Sequence, residues 1–457
     1  VLRSLFLTGI YFSFIGLGLA APFVLSLGYV WVSIFRPQSV AYAILPAIPI
    51  SLLLGVLAIG WFVVRDLRYP PRLTPVLCLI LAMGLWVTFT TAVLAVAPEA
   101  AWGKWDWAFK TIVFSAFMVF VFRSRIQIEA LVQVICFSFA AHFLLVGAKT
   151  LVSGGGYGKE LGLLGGNTGF GEGGNFAAAT QMCVPLLLYL ARHSLLAPRW
   201  KLTPFGYIGL ACLAVVASIG TYQRSALVGI GVFGLALWWR SKRKLLVGGI
   251  CLAGALVLAF ATSSAWLERM GTIDDYNTES SALTRILVWK WTLGFVAEHP
   301  LGGGFHSYLI NEIRSPPTPD RPEGVVQQAR AFHSIYFEML GEHGWPGLAL
   351  FLAINLLTLL SLERVRRQTK GLEQFVWCRD LATALQLALL VLLSSGAFVG
   401  IGFQPMFWYL FALGACLHHH WQRASAEIRV ARRGEGLAAA GWVPRRVREA
   451  RVRAAAR

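Results

Sequence analysis

Charge is what this chain has least of. Only 14% of its 457 residues are Asp, Glu, Lys or Arg, against about 25% in ordinary soluble domains, and that shortfall excludes a soluble globular protein of this size. The alternating ten-residue pattern of an outer-membrane barrel is missing too. Gly302-Gly303-Gly304 has no Gly-Lys-Ser/Thr after it, so it is not a phosphate loop. The segments expected outside the membrane hold no Asp-x-Asp cluster, only the adjacent Asp274-Asp275, which leaves a metal-chelated nucleotide-sugar donor unsupported. Seven cysteines (Cys78, Cys136, Cys183, Cys212, Cys251, Cys378, Cys416) fall in or beside apolar stretches, at spacings that fit neither a disulfide framework nor a zinc site. They read as apolar packing. His418-His419-His420 lacks the separated, convergent ligands of a metal site and reads as the polar cap of a span.

What is present is apolar, 57% of the residues, and it comes in blocks of membrane-spanning length. Spans are expected at about 5–35, 41–64, 73–98, 108–122, 126–150, 175–191, 205–219, 225–239, 245–263, 346–362, 378–398 and 404–420. The fold class is therefore all-α, a polytopic integral membrane protein of about twelve transmembrane helices. The first block is followed by many others, so it is expected to be a true span and not a cleaved signal. Pro22 is a candidate break within it; counted as one span, it leaves both termini on the same side.

The net charge of +18 raises a nucleic-acid reading, and its distribution argues against one. From Arg423 to Arg457 there are ten Arg and three Glu. Arg65-Asp66-Leu67-Arg68, Arg123-Ser124-Arg125, Arg240 to Lys244 and Arg364-Val365-Arg366-Arg367 fall on the same face as that tail, which marks the face as cytoplasmic. The other face receives 99–107, the glycine-rich loop 151–174 and the long loop 264–345, which holds ten acidic and six basic residues. Four regions follow: helices with the glycine-rich loop over 1–263, a mostly helical outer subdomain over 264–345 between helices 9 and 10, helices again over 346–420, and a basic tail over 421–457. That tail, with Trp442 amid arginines, is open between a membrane-surface helix and disorder.

Basic residues on the outer face are anomalies that point to a site. Arg224, in the short turn Thr221-Tyr222-Gln223-Arg224-Ser225, suits a clamp for phosphate oxygens, the plain alternative being a side chain that snorkels to the interface. Arg285 sits early in a helix expected from Ser280 onward, four residues before Trp289, whose ring and that of Trp291 suit headgroup depth. Arg36 is a further phosphate candidate, Arg330 has a structural alternative, and Lys159 in the glycine-rich loop has no assigned role. The glycine-rich loop reads either as a linker or as a flap over a lipid headgroup. His333, just ahead of an apolar helix, could take a proton from an acceptor hydroxyl; Glu338 and His343 are near enough in sequence to orient or tune it.

His333-Ser334, nine residues, Gly344, two residues and Gly347 form a pattern that resembles the signature of the O-antigen ligases, in the superfamily that also holds O-antigen polymerases and protein O-oligosaccharyltransferases. The turn with Arg224, the run Ser281-Ala282 with Arg285 and Trp289, Pro300-Leu301-Gly302 with Gly304, and Asn175-Phe176-Ala177 with Pro185 are similar to further blocks of that family. The resemblance implies metal-independent, inverting transfer of a glycan from undecaprenyl diphosphate to lipid A–core, on the periplasmic face of a bacterial inner membrane, without a cofactor. It implies His333 as base and Arg224 and Arg285 as diphosphate ligands; Arg36, from its place on the outer face, is a further diphosphate candidate, and Ser334, Glu338, Arg330 and Asn175 are supporting candidates. Membrane lipids and the two lipid-linked glycans are the expected partners; nucleic acid is not. A polymerase or a protein glycosyltransferase would differ only in acceptor. A transporter of lipid-linked glycan is the rival of another class, disfavoured by the absence of a repeat between the two halves of the chain.

Overall fold

A computed structural model of the chain describes residues 2–42, 44–66, 73–153, 170–198, 200–249, 252, 254, 280–315 and 324–439. Most of the span expected at 245–263, the centre of the glycine-rich loop with Lys159, Asp274-Asp275 and Trp442 lie outside these residues. The helices are α1 (Leu2–Ala20), α2 (Phe23–Phe35), α3 (Pro37–Val40), α4 (Ile44–Ala47), α5 (Ile50–Arg65), α6 (Pro75–Val93), α7 (Pro98–Val121), α8 (Arg125–Ser153), α9 (Gly173–His193), α10 (Thr203–Gly220) and α11 (Arg224–Arg240). After them come α12 (Ser280–Glu298), an antiparallel hairpin of β1 (Glu312–Ser315) and β2 (Val325–Gln328), then α13 (Ile335–Gln368), α14 (Val376–Ser395) and α15 (Pro405–Ala439). Seven of the described helices are long and apolar enough to cross a membrane. The chain is an all-α polytopic membrane protein with one small hairpin among its described residues.

Local chemistry explains the element boundaries. Thr74 caps α6, its Oγ1 accepting from the Leu77 amide at 3.3 Å, with Pro75 in the first turn where a missing N–H costs nothing. In α15 Phe407 through Leu413 are all fully buried, and a helix apolar on every side belongs at the centre of a bundle. Outer helices instead leave leucines bare, Leu85 at 74% exposure among them, as a face toward lipid requires. Within the bundle Gln181 on α9 donates to Ser218 Oγ at 2.5 Å and to the Ala226 carbonyl at 2.8 Å, joining three helices through polar groups where water is absent.

Three expected boundaries move. The 5–35 block, counted above as one span, breaks at Pro22 into two antiparallel helices: Gly18 packs on Leu25, Gly28 on Phe14, and the Tyr42 amide donates to Ser4 Oγ at 2.8 Å. Phe23 meets Phe122, and His420 bonds the neighbouring Arg123 carbonyl at 3.0 Å. Leu2 and α15's far end therefore lie at opposite ends of the bundle, not together as a single first span would have them. The stretch 99–107, expected as a loop, is the first turns of α7, and α13 begins at Ile335 instead of 346.

Gly344 (φ 66°) interrupts α13, and the chain from Pro300 to Gly302 crosses the gap. The Trp345 amide donates to the Pro300 carbonyl at 3.0 Å and the Gly303 amide to the Gly341 carbonyl at 3.1 Å. Gly302 (φ 86°) abuts the backbone of Glu342 and Gly344, so both glycines are demanded by close approach and by a left-handed backbone. Gly347 leaves room for His343, whose carbonyl accepts from Trp86 Nε1 at 2.9 Å. Gly344→Ala is expected to cost about 2 kcal/mol or more, read as a lowered unfolding temperature in detergent. Unchanged melting would show that the crossing is not under this constraint.

Candidate active site

Beneath the crossing lies a buried lysine. Lys104, in the second turn of α7, reaches Glu338 Oε1 at 2.7 Å and both oxygens of Glu342 at 2.9 Å. The two glutamates are four residues apart and so share a face of α13. The side chains of Lys104, Glu338 and Glu342 are 7%, 9% and 0% exposed. Two backbone amides add to the carboxylates: His306 N–H donates to Glu342 at 3.0 Å and Gly402 N–H to Glu338 at 3.0 Å. The ammonium also lies 5.3 Å and 5.4 Å from the ring centres of Phe305 and Phe403. This one cation joins α7, α13, the 300–306 crossing and the turn ahead of α15.

His333 stands immediately above this knot. Its backbone is left-handed (φ 47°), a conformation side chains adopt rarely, and its neighbours hold it there. Asn311 clasps Arg330 on both backbone groups, at 2.7 Å and 2.9 Å. Trp289 Nε1 donates to the Phe332 carbonyl at 2.9 Å while its ring stacks on Phe337 at 5.0 Å. Ser334 is buried as the N-cap residue of α13 without a side-chain capping bond. Burial pushes the His333 imidazole below the ordinary histidine value; Glu172 and Glu338 oppose that shift, and Arg285 and Arg330 reinforce it. The ring is therefore neutral at pH 7, with a lone pair to accept a proton. His306, also in the crossing, is pushed down to about 4, chiefly by burial and then by Lys104.

Two clefts meet at His333. One, of about 220 Å³, is walled by Lys104, Glu338, Asn175, His306 and Tyr308. The other, of about 330 Å³, is walled by Arg285, Gln223, Ser225, Gly173 and Gly174. His333 and Glu172 belong to both. The second cleft has the features of an anion site: the first residues of α9 and of α11 border it, and Arg285 supplies a full charge. A side chain at Gly173 would run into Gln223, and one at Gly174 into Val399, so the backbone approaches there because both are glycine. In the first cleft Asn175 Oδ1 is buried and accepts no hydrogen bond from the described residues.

Of the residues singled out by sequence, His333, Arg285, Glu338 and Asn175 converge here. Arg224 is the first residue of α11, between two residues that line the second cleft. Arg330 is exposed beside His333, its guanidinium donating to Gln327 at 2.7 Å. Arg36 follows α2 and lines neither cleft. His343 faces away, bonded through Nδ1 to Thr90 on α6 at 2.7 Å. Trp289 and Trp291, expected at headgroup depth, pack inward on Phe337 and Phe295. Sequence reasoning missed Lys104, Glu342, Glu172, His306 and Gln223. Lys104 carried a usable signal, a lysine among Trp102, Trp105 and Trp107 on the face where basic residues are disfavoured.

Lys104→Met is expected to destabilise the fold by about 3–5 kcal/mol, since it strands two buried carboxylates. Adding Glu338→Gln and Glu342→Gln should recover much of that loss. Thermal unfolding of the single and triple variants checks this, and equal melting of the two would contradict the pairing.

Residues 2–195 match a family of unknown function (DUF5935), and residues 182–352 match the family described as O-Antigen ligase. No curated protein matches the chain. The second match contains Arg224, Arg285, His333, Glu338 and Glu342; the first contains Lys104, Glu172 and Asn175. Over residues 182–352 the chain is thus similar to an O-antigen ligase-type family, and its apolar helices fit a membrane protein.

Proposed function

We propose that the protein transfers O-antigen glycan from undecaprenyl diphosphate to a hydroxyl of lipid A–core. The observation that carries the reading is the placement of a neutral imidazole between an anion cleft and a second, polar cleft. The diphosphate lies against Arg285, Gln223, Ser225 and the amides at the start of α9, with Arg224 adding charge at the start of α11. The acceptor sugar enters beside Glu338 and Asn175. Its hydroxyl oxygen bonds to the anomeric carbon of the donor as the bond from that carbon to the diphosphate oxygen breaks. The hydroxyl proton passes to His333, and the diphosphate departs with the bonding electrons, its growing charge met by Arg285 and the helix N-termini. Glu172 and Glu338 stabilise the imidazolium that results. Arg36 has no part in this scheme.

The arginine-rich end of the bundle is cytoplasmic in this reading, which puts the site on the periplasmic side of the inner membrane. A polymerase would use the same donor cleft and base with a second carrier-linked glycan as acceptor, and a protein glycosyltransferase would take a side-chain hydroxyl.

In a strain lacking the protein, bare lipid A–core should accumulate with long polymers stranded on the carrier. Lipid A–core capped by single repeats would make the enzyme a polymerase, and an unchanged lipopolysaccharide profile would point to protein acceptors or transport. With purified protein, His333→Ala should lower transfer by about 10²–10⁴-fold and Arg285→Ala by about 10²-fold or more. Because burial depresses His333, kcat/KM should rise with pH through a value below about 6.5 and then level off. An acid limb above 7 would exclude His333 as the base.

A further inference from the structure

We propose that the opposite, arginine-rich end of the bundle carries a second ligand site, a groove that binds an anionic phospholipid by its phosphate. The groove measures about 720 Å³, larger than either cleft at His333, and opens between the start of α6, the end of α7, α13 and α15. Its floor is apolar or small: Val76, Val119, Leu357, Gly414 and Ala415. Its rim is Arg123, Arg364, Arg423, Arg429, His418 and His419, and among the described residues no Asp or Glu lines it. Basic residues ringing an apolar slot between helices match the two ends of a phospholipid, whose phosphate is anionic and whose chains are not.

Four further observations point to a ligand there. His418 Nδ1 and His419 Nε2 are buried without a hydrogen-bond partner among the described residues, in residues each 7% exposed, although both residues line the groove. An imidazole N–H is a donor that a phosphate oxygen would satisfy. Glu363, the carboxylate next to Arg364 in sequence, is already taken by Arg366 at 2.7 Å and Arg367 at 2.6 Å. Beside the groove the apolar Leu73 and Leu360 stand 66% and 54% exposed, a surface suited to acyl chains. Gly414 helps to keep the slot open, since a Cβ there would already lie 3.0 Å from Thr358 Cγ2. The His418-His419-His420 run thereby acquires a role that its position in sequence did not suggest: the first two rings face the groove, and His420 ties α15 to the Arg123 carbonyl at 3.0 Å.

The site stands apart from the transfer chemistry, so His333→Ala protein must bind the lipid as the wild type does. The full chain in detergent is titrated with phosphatidylglycerol or phosphatidylethanolamine, and retained lipid is counted by native mass spectrometry alongside the unfolding temperature. The expected result is one retained phosphatidylglycerol, preferred over phosphatidylethanolamine by about tenfold or more, with a matching rise in unfolding temperature. Arg364→Gln with Arg429→Gln should weaken binding by about tenfold or more, at roughly fivefold for each arginine near a lipid surface; Arg314→Gln, exposed in β1 at the other end, should not. If the double variant aggregates, Arg364→Gln alone should show the roughly fivefold loss. Equal retention of both lipids, or full phosphatidylglycerol binding by the arginine variants, would overturn the proposal. So would millimolar inorganic phosphate that stabilises the protein as well as the lipid does, since the ligand would then be a free anion.

Discussion

The bridge from Lys104 to Glu338 and Glu342 is the contact on which the outer half of the molecule depends. An ammonium and two carboxylates withdrawn from water lose solvation worth several kcal/mol per ion, and only dense pairing offsets that. Here each carboxylate has the lysine and one backbone amide, and two aromatic rings flank the cation. The partners come from α7, α13, the 300–306 crossing and residue 402, so the arrangement is satisfied in one packing of those four pieces and in no slipped version of it. A ring of apolar side chains would stabilise as much or more without choosing a register. What the charges add is a fixed floor: Glu338 both closes the knot and walls the cleft at His333.

Above that floor the geometry is set by backbone strain held in place. His306 and His333 are both left-handed, and Gly344 breaks α13 between the knot and the rest of the helix. None of these conformations is favourable alone. Each is stabilised by contacts on either side: Trp289 on the carbonyl before His333, Glu342 on the His306 amide, and Pro300 to Gly303 on the broken helix. Arg285 and Trp289 are one turn apart on α12, so the residue that pins the backbone beside His333 also fixes the distance to the charged one. In the proposed reaction His333 and Arg285, carried by one scaffold, need no loop closure to find each other.

Much of this was legible in sequence. Spans of apolar residues announce themselves by length, His333 by standing just ahead of one, and Arg285 by the family-like run it shares with Ser281, Ala282 and Trp289. Gly344 and Gly347 were readable as a pattern before their reason, the crossing chain and the space for His343, was visible. Direction was harder. The 5–35 run carries one mark, Pro22, which indicates a break but not its angle; a membrane helix and its antiparallel neighbour are equally apolar, and the angle decides on which side Leu2 lies. Lys104 escaped for a related reason. A lysine flanked by tryptophans looks like an interfacial loop, and its partners Glu338 and Glu342 are 234 and 238 residues away. Arg36 and Arg224 resemble Arg285 in sequence, and only packing separates an arginine that follows α2 from one that faces His333.

The two matched regions divide the site unequally. The region matched to the O-antigen ligase family holds His333 and the arginines near it, yet the lysine that orders Glu338 and Glu342, and the Glu172 and Asn175 that line the clefts, lie in the region matched to a family of unknown function. The anion cleft itself is built at their junction, where the start of α9 meets the start of α11. Under the proposed function, the arginine and the imidazole that would act on the transferred group come from the second region. Asn175, Trp107 and the Lys104 knot, which line the first cleft, come from or are anchored by the first. On that reading acceptor choice would follow from how the N-terminal helices pack against the transfer apparatus, and changes in that half would alter what is glycosylated while leaving the anion cleft and His333 as they are.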